Sequence, residues 1–153
     1  MFDVAKIILK EVISSTKSTL LFTNTRVEAE AIGSILKAEN PDFPVEIHHG
    51  SLAREAREDA EIRLRGDKPV LVVCTSSLEL GIDIGNVERV MQFGSPRQAI
   101  KLMQRIGRSK HKTGQTSIGL ILTNRIDDEL ESLALIDRVE TVSYPHLTLP
   151  PKA

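Results

Sequence analysis

Apolar residues along the chain alternate between two rhythms. In FDVAKIILKEVI, residues 2–13, they recur every three or four positions, as on one face of a helix. STLLFT, residues 18–23, is instead a short apolar run of strand length, and RVEAEAIGSILKAE, residues 26–39, returns to helical spacing until Asn40 and Pro41 end it. VEIHH (45–49) reads as a strand, SLAREAREDAEIRLRG (51–66) as a helix capped by Ser51 and stopped by Gly66, and PVLVVCT (69–75) as a fully buried strand. VERVMQF (87–93), a helix over RQAIKLMQRIG (97–107), a strand in TSIGLILT (116–123) and a helix over DDELESLALIDRV (127–139) complete the series. Strands separated by single helices call for right-handed crossovers. The predicted fold is therefore α/β and doubly wound, a mainly parallel sheet with helices on both faces and its functional loops beyond the carboxyl ends of the strands.

The polar signatures fall on those loops: FTNTR after the first strand, HHGSL after the second, CTSSLELGIDIG after the third and GSPRQ after the fourth. Each sets small hydroxyl or glycine residues at the start of a helix, where free backbone N–H groups and the helix dipole favour phosphate. Each also has a plainer reading. Thr23-Asn24-Thr25 can be a helix cap, His48 and His49 a loop pair, and Asp83 a loop cap. No carboxylate or cysteine stands at ligand spacing from the histidines, so no metal site is expected. Glu and Arg at i, i+3 and i+4 in residues 51–65 suit a solvated helix.

Charge sharpens the picture only when it is read locally. The 153 residues carry 20 basic and 21 acidic side chains, a net charge of −1. Between Arg89 and Arg125, however, there are eight Lys or Arg and no acid, whereas residues 1–88 carry ten basic and fifteen acidic residues. Such a run, interleaved with apolar residues and glycines, should lie on ordered structure beside something anionic. Aromatics are 3% of the chain and Trp is absent, leaving little for base stacking, so contacts with nucleic acid should run through phosphates. The single cysteine, Cys74, allows no intrachain disulfide and reads as a packing residue, and with no signal-like or membrane-length apolar segment the expected location is cytoplasmic or nuclear. There is no GxxxxGK[ST] loop and no Asp-Glu pair placed for magnesium, so the chain is not expected to hydrolyse nucleotide alone. A basic segment without its own phosphate loop suits a domain that supplies arginines across a cleft to a nucleotide held by a neighbour.

FTNTR, HHGSLAREARE, VLVVCTSSLELGIDIG, QFGSP and QRIGR, in this order and spacing, resemble motifs IV, IVa, V and VI of superfamily 2 helicases over roughly residues 1–140. The HHGSL and GSPRQAIKLMQRIGRS segments look most like the Lhr-like (large helicase-related) branch. The resemblance implies the second RecA-like domain of an ATP-dependent motor, with ATP and its Mg2+ held by an absent first RecA-like domain. It places Asn24, Thr25, Arg26, His49, Gly50, Thr75 and Ser76 on the phosphates of one DNA or RNA strand. It sets Gly81 and Asp83 beside the nucleotide, the aspartate near the ribose, and Gln104, Arg105 and Arg108 at its phosphates, with Arg108 as the arginine finger. A surface cation at a helix end is the plainer reading of Arg108. Where many members carry a second finger this sequence has His111, followed by Lys112, and Lys110 replaces a common glycine. TVSYPHLTLPPKA, residues 141–153, has three prolines and no helical period and is expected to lie outside the domain, as cloning or assembly sequence or as a disordered linker. The alternative function is a stand-alone nucleic-acid-binding or regulatory module.

Overall fold

The computed structural model describes residues 1–84, 87–109 and 119–140. Its elements follow in the order α1 (Phe2–Ile13), β1 (Ser18–Phe22), α2 (Arg26–Glu39), β2 (Val45–His48), α3 (Arg54–Arg65) and β3 (Leu71–Cys74). A 3-10 turn (Ser76–Leu78), β4 (Val87–Phe93), α4 (Ala99–Ile106), β5 (Gly119–Leu122) and α5 (Ile126–Arg138) complete it. All four strand pairings are parallel and give the order β2-β3-β1-β4-β5.

The two-residue period of the strands divides the core. Leu21 of β1, Leu71 and Val73 of β3 and Met91 and Phe93 of β4 point to one side, where Ile8 of α1 and Ile32 and Leu36 of α2 cover them. Leu20, Phe22, Val72, Cys74 and Val90 point to the other, against Leu64 of α3 and Leu78 of the 3-10 turn. The helices take part through stripes such as Val4, Ala5, Ile8, Leu9 and Val12 in α1. Cys74, fully buried, is one of these packing residues. Burial pushes its thiol far above its ordinary range, against a smaller opposing effect of Arg105. Alkylation of Cys74 at pH 8 is therefore expected to proceed only as fast as the domain unfolds; prompt labelling of the folded chain would contradict the burial.

Local caps match the sequence in α2 and differ in α3. Thr25 and Glu28 form a reciprocal capping box, and Asn40 ends α2. The predicted Ser51 cap is a correction: α3 begins three residues later, behind Ala53, with no side-chain cap. Ser51 Oγ instead accepts a 2.7 Å hydrogen bond from Arg26. That bond holds the Ser51 hydroxyl across the loops toward Arg26, and α3 starts behind Ala53 instead. Gly66 does stop α3, and Arg54 pairs with Glu58 at i, i+4, 2.7 Å, as a solvated helix should.

Within the cation-rich segment, three arginines meet acids of this chain. Arg89 pairs with Glu11 at 3.0 Å, Arg97 with Asp128 at 2.8 Å and with Glu131 at 3.4 Å, and Arg105 with Glu79 at 2.8 Å. The sequence puts no acid beside Arg97 or Arg105, and Arg89 pairs with Glu11 although Glu88 adjoins it; the fold brings the partners from α1, α5 and the loop after β3. Lys110, His111 and Lys112, like the segment 141–153, lie outside the described residues.

Candidate nucleic-acid and nucleotide interface

The strand register brings the carboxyl ends to one edge: Phe22 is level with Cys74 and Gln92, His48 with Cys74, and Phe93 with Leu122. The loops of residues 23–25, 49–53, 75–84 and 94–98 therefore share that edge. Chain direction diverges between β1, which leads outward to β2, and β4, which leads to β5, so a switch point lies between their ends. Two backbone bonds continue the ladder into the loops, Thr23 N–H to Cys74 O at 2.8 Å and Thr75 N–H to His48 O at 3.3 Å.

One side of the edge gathers the residues expected to meet a strand. Thr25, Arg26, Gly50 and Ser76 are exposed, and Thr75 is half-buried. The Arg26–Ser51 bond ties the first of these loops to the second. His49 faces inward: the Ser51 N–H donates to its Nδ1 at 3.2 Å, which fixes the Nε2–H tautomer, and Nε2–H reaches Glu30 at 2.6 Å. Its ring shapes the turn, and Gly50 forms the outer surface. His48 is held similarly, by Ser77 at Nδ1 and Glu61 at Nε2, both at 2.8 Å. With both rings so engaged, no group of three or more His, Cys, Asp or Glu among the described residues is placed to hold a metal. Asn24 also turns inward, its Nδ2 donating to Ser95 O at 2.6 Å across the switch point.

The residues expected at the nucleotide lie around the loop after β3. Gly81 adopts φ 96°, a left-handed conformation that a side chain would strain, and both it and Asp83 are exposed. Arg108 follows Gly107 just beyond α4 and donates to the Ile82 carbonyl. Its Nε is buried with no hydrogen-bond partner among the described residues. Burial lowers the Arg108 pKa, opposed by the Asp83 carboxylate, and a guanidinium remains charged at neutral pH. Gln104 is half-buried on α4. Arg105 differs from Arg108: it is 2% exposed, bonded to Glu79, and stacked 5.3 Å from the centroid of Phe22.

Glu79, Gln92, Ser95 and Glu28 belong to the site but were not singled out from the sequence. Glu28 accepts the N–H groups of Asn24 and Thr25, both at 3.1 Å. Glu79 had a usable signal, a carboxylate set between Leu78 and Leu80. Gly94 is the other glycine whose conformation is required: at φ 74° it turns the chain beside Asn24 and Asp128.

Residues 3–112 match the helicase conserved C-terminal domain family. ATP-dependent helicase Lhr-Core protein 2 of Thermococcus barophilus is 41% identical over 147 residues, covering 90% of this chain and 17% of that protein. ATP-dependent helicase Lhr-Core of Methanocaldococcus jannaschii is 37% identical with the same coverage, 90% and 17%. The structure of Mycobacterium smegmatis helicase Lhr bound to ssDNA and AMP-PNP superposes with a TM-score of 0.83 at 33% identity, covering 91% of this chain and 19% of that one. The chain thus spans less than a fifth of the length of these relatives. Among the described residues no helix is long and apolar enough to cross a membrane. On the family match and these relatives, the chain belongs to the helicase conserved C-terminal domain family and resembles its Lhr-like members.

Proposed function

We propose that residues 1–140 form the second motor domain of an ATP-dependent nucleic-acid helicase. The observation that carries this reading is the separation of two surfaces on one sheet edge: exposed Thr25, Arg26, Gly50 and Ser76 on one side, and Arg108 beside Asp83 on the other. Thr25, Arg26, Gly50, Thr75 and Ser76 hold the phosphates of one strand, with Asn24 and His49 supporting their loops from within. These contacts are independent of sequence, because phosphates carry no base identity. Gly81 lets the backbone approach ATP, Asp83 meets the ribose, and Arg108 reaches the transferring phosphoryl group. Gln104 contributes at the phosphates, while Arg105 holds the loops behind them.

ATP is held chiefly by a first RecA-like domain in the same polypeptide, which also ligates Mg2+. The residues here fit the nucleotide's phosphate end: Arg108 Nε is a buried donor without a hydrogen-bond partner among the described residues, carried by a guanidinium next to an exposed loop. ATP, when bound, would supply the phosphoryl transfer whose cycle moves the two domains relative to each other. The chain's own part is to clamp the strand and place a fixed positive charge at the cleft. A cytoplasmic or nuclear location accords with a nucleic-acid substrate. The similar Mycobacterium smegmatis helicase Lhr, whose structure is bound to ssDNA and AMP-PNP, supports this reading.

Arg26 provides the direct test. In the full-length helicase that carries this domain, Arg26→Ala is expected to weaken binding to both dT and U oligonucleotides, and to reduce the slope of log K against log salt by about one phosphate's worth, roughly 0.7. Anisotropy titrations at several salt concentrations give that slope. An unchanged slope would remove Arg26 from the strand interface. Tight salt-dependent binding by the 153-residue chain alone, without any effect of Arg108 on ATP turnover in the whole helicase, would favour the stand-alone binding module.

A further inference from the structure

The two functional surfaces are joined by a buried chain of polar groups. Arg105 of α4 donates from Nε to Glu79 at 2.8 Å and from one terminal nitrogen to Gln92 Oε1 at 2.6 Å and Asn24 Oδ1 at 3.3 Å. Gln92 Nε2 donates to the Phe93 carbonyl at 2.9 Å and to Asn24 Oδ1 at 3.4 Å. Asn24 Nδ2 closes the series on Ser95 O at 2.6 Å. Arg105, Gln92 and Glu79 are 2%, 2% and 8% exposed, so these bonds are shielded from water. Four separate stretches of chain thereby meet on one guanidinium.

The ends of this chain of bonds are informative. Asn24 immediately precedes Thr25 and Arg26, on the strand side. Glu79 leads into Gly81 and Asp83, and Arg105 lies one helical turn before Arg108, on the nucleotide side. Asn24 is half-buried, the member nearest the surface, and adjoins Thr25 and Arg26 in the chain. A buried ion pair is weak evidence of a stability device, since apolar residues of similar volume commonly stabilise a core as well or better. Its fork geometry does impose a fixed relation between the parts it joins.

We propose that Arg105 and Glu79 are positioning residues that couple strand binding to nucleotide binding, through the Asn24–Arg105–Glu79 connection. The proposal rests on the motor-domain reading above. Coupling is a difference between affinities, so it is separable from the strength of either site.

The test measures strand affinity of the full-length helicase with and without AMP-PNP, in the parent and in the double variant Glu79→Gln/Arg105→Gln. The double variant keeps hydrogen-bonding side chains, the glutamine at 105 being shorter than the arginine, and leaves no unpaired buried charge. Gln92→Leu, which removes one acceptor of Arg105 together with the donor to Asn24 Oδ1 and the Phe93 carbonyl, is the second variant should the first fail to fold. The parent is expected to gain affinity by about 5–150-fold on binding nucleotide, and each folded variant to lose most of that gain. Thermal unfolding is recorded in parallel, because a merely structural role would lower the midpoint and leave the affinity ratio intact; that result would overturn the coupling. A parent that binds strand with no dependence on nucleotide would overturn the motor reading and the coupling together, whereas a coupled parent with fully coupled variants overturns the coupling alone.

Discussion

Arg108→Ala in the full-length helicase is expected to lower strand-stimulated ATP turnover by at least about a hundredfold, since an arginine finger is typically worth 10³–10⁵ in rate. The reason lies in where the side chain starts. Arg108 follows the end of α4, and its N–H is bonded to Arg105 O at 3.1 Å, so its backbone is fixed to the last helical turn. Its guanidinium rests on the Ile82 carbonyl within the field of Asp83, at the border of the loop assigned to the nucleotide. A short movement of the side chain would exchange that carbonyl for a phosphate oxygen. Arg108→Lys is expected to recover little, because an ammonium lacks the planar fork and is more strongly hydrated. Steady-state ATPase rates at saturating strand, with circular dichroism as a folding check, decide the matter. Unchanged turnover in a folded variant would end the finger assignment.

Arg105→Ala is expected to act through stability, costing about 3–5 kcal/mol, because it leaves the Glu79 carboxylate buried without its partner. The side chains of the pair are 3% and 10% exposed, so water offers little compensation. Gln92 and Asn24 lose an accepted hydrogen bond as well, and Phe22 loses the cation stacked on its ring. Urea unfolding of the chain, followed by circular dichroism, should show the midpoint falling sharply for Arg105→Ala. The double variant Glu79→Gln/Arg105→Gln should recover most of that loss, since it removes both charges together. If the single and double variants were equally destabilised, the cost would come from lost packing rather than from the stranded charge. The contrast with Arg108 is instructive: three residues apart on the same helix end, one arginine is expected to change rate and the other stability.

Much of the edge was legible from local pattern. Thr25 and Glu28 lie three residues apart and cap α2 as any such pair can, and the glycine at Gly81 stands where the loop needs a left-handed residue. Ser51 shows the limit of this reasoning. Its hydroxyl before an amphipathic run is an ordinary cap signal, but Arg26, 25 positions away, claims the oxygen. Asn24 and His49 were expected at the strand from the resemblance, and the direction of their side chains was not readable: both turn inward, toward Ser95 and Glu30.

The sequence by itself determined the alternation of strands and helices, the two faces of β1 and β3, and the collection of polar loops at one edge, because periods of two and of 3.6 residues are local properties of the backbone. Only the tertiary structure decided which cations remain available. Arg105 and Glu79 are 26 residues apart and Arg105 and Asn24 are 81 apart, so no spacing rule connects them. Their pairing follows from packing α4 over Phe22 while β3 and β4 flank β1, which brings a carboxylate and two amides within reach of a guanidinium that water cannot enter to solvate.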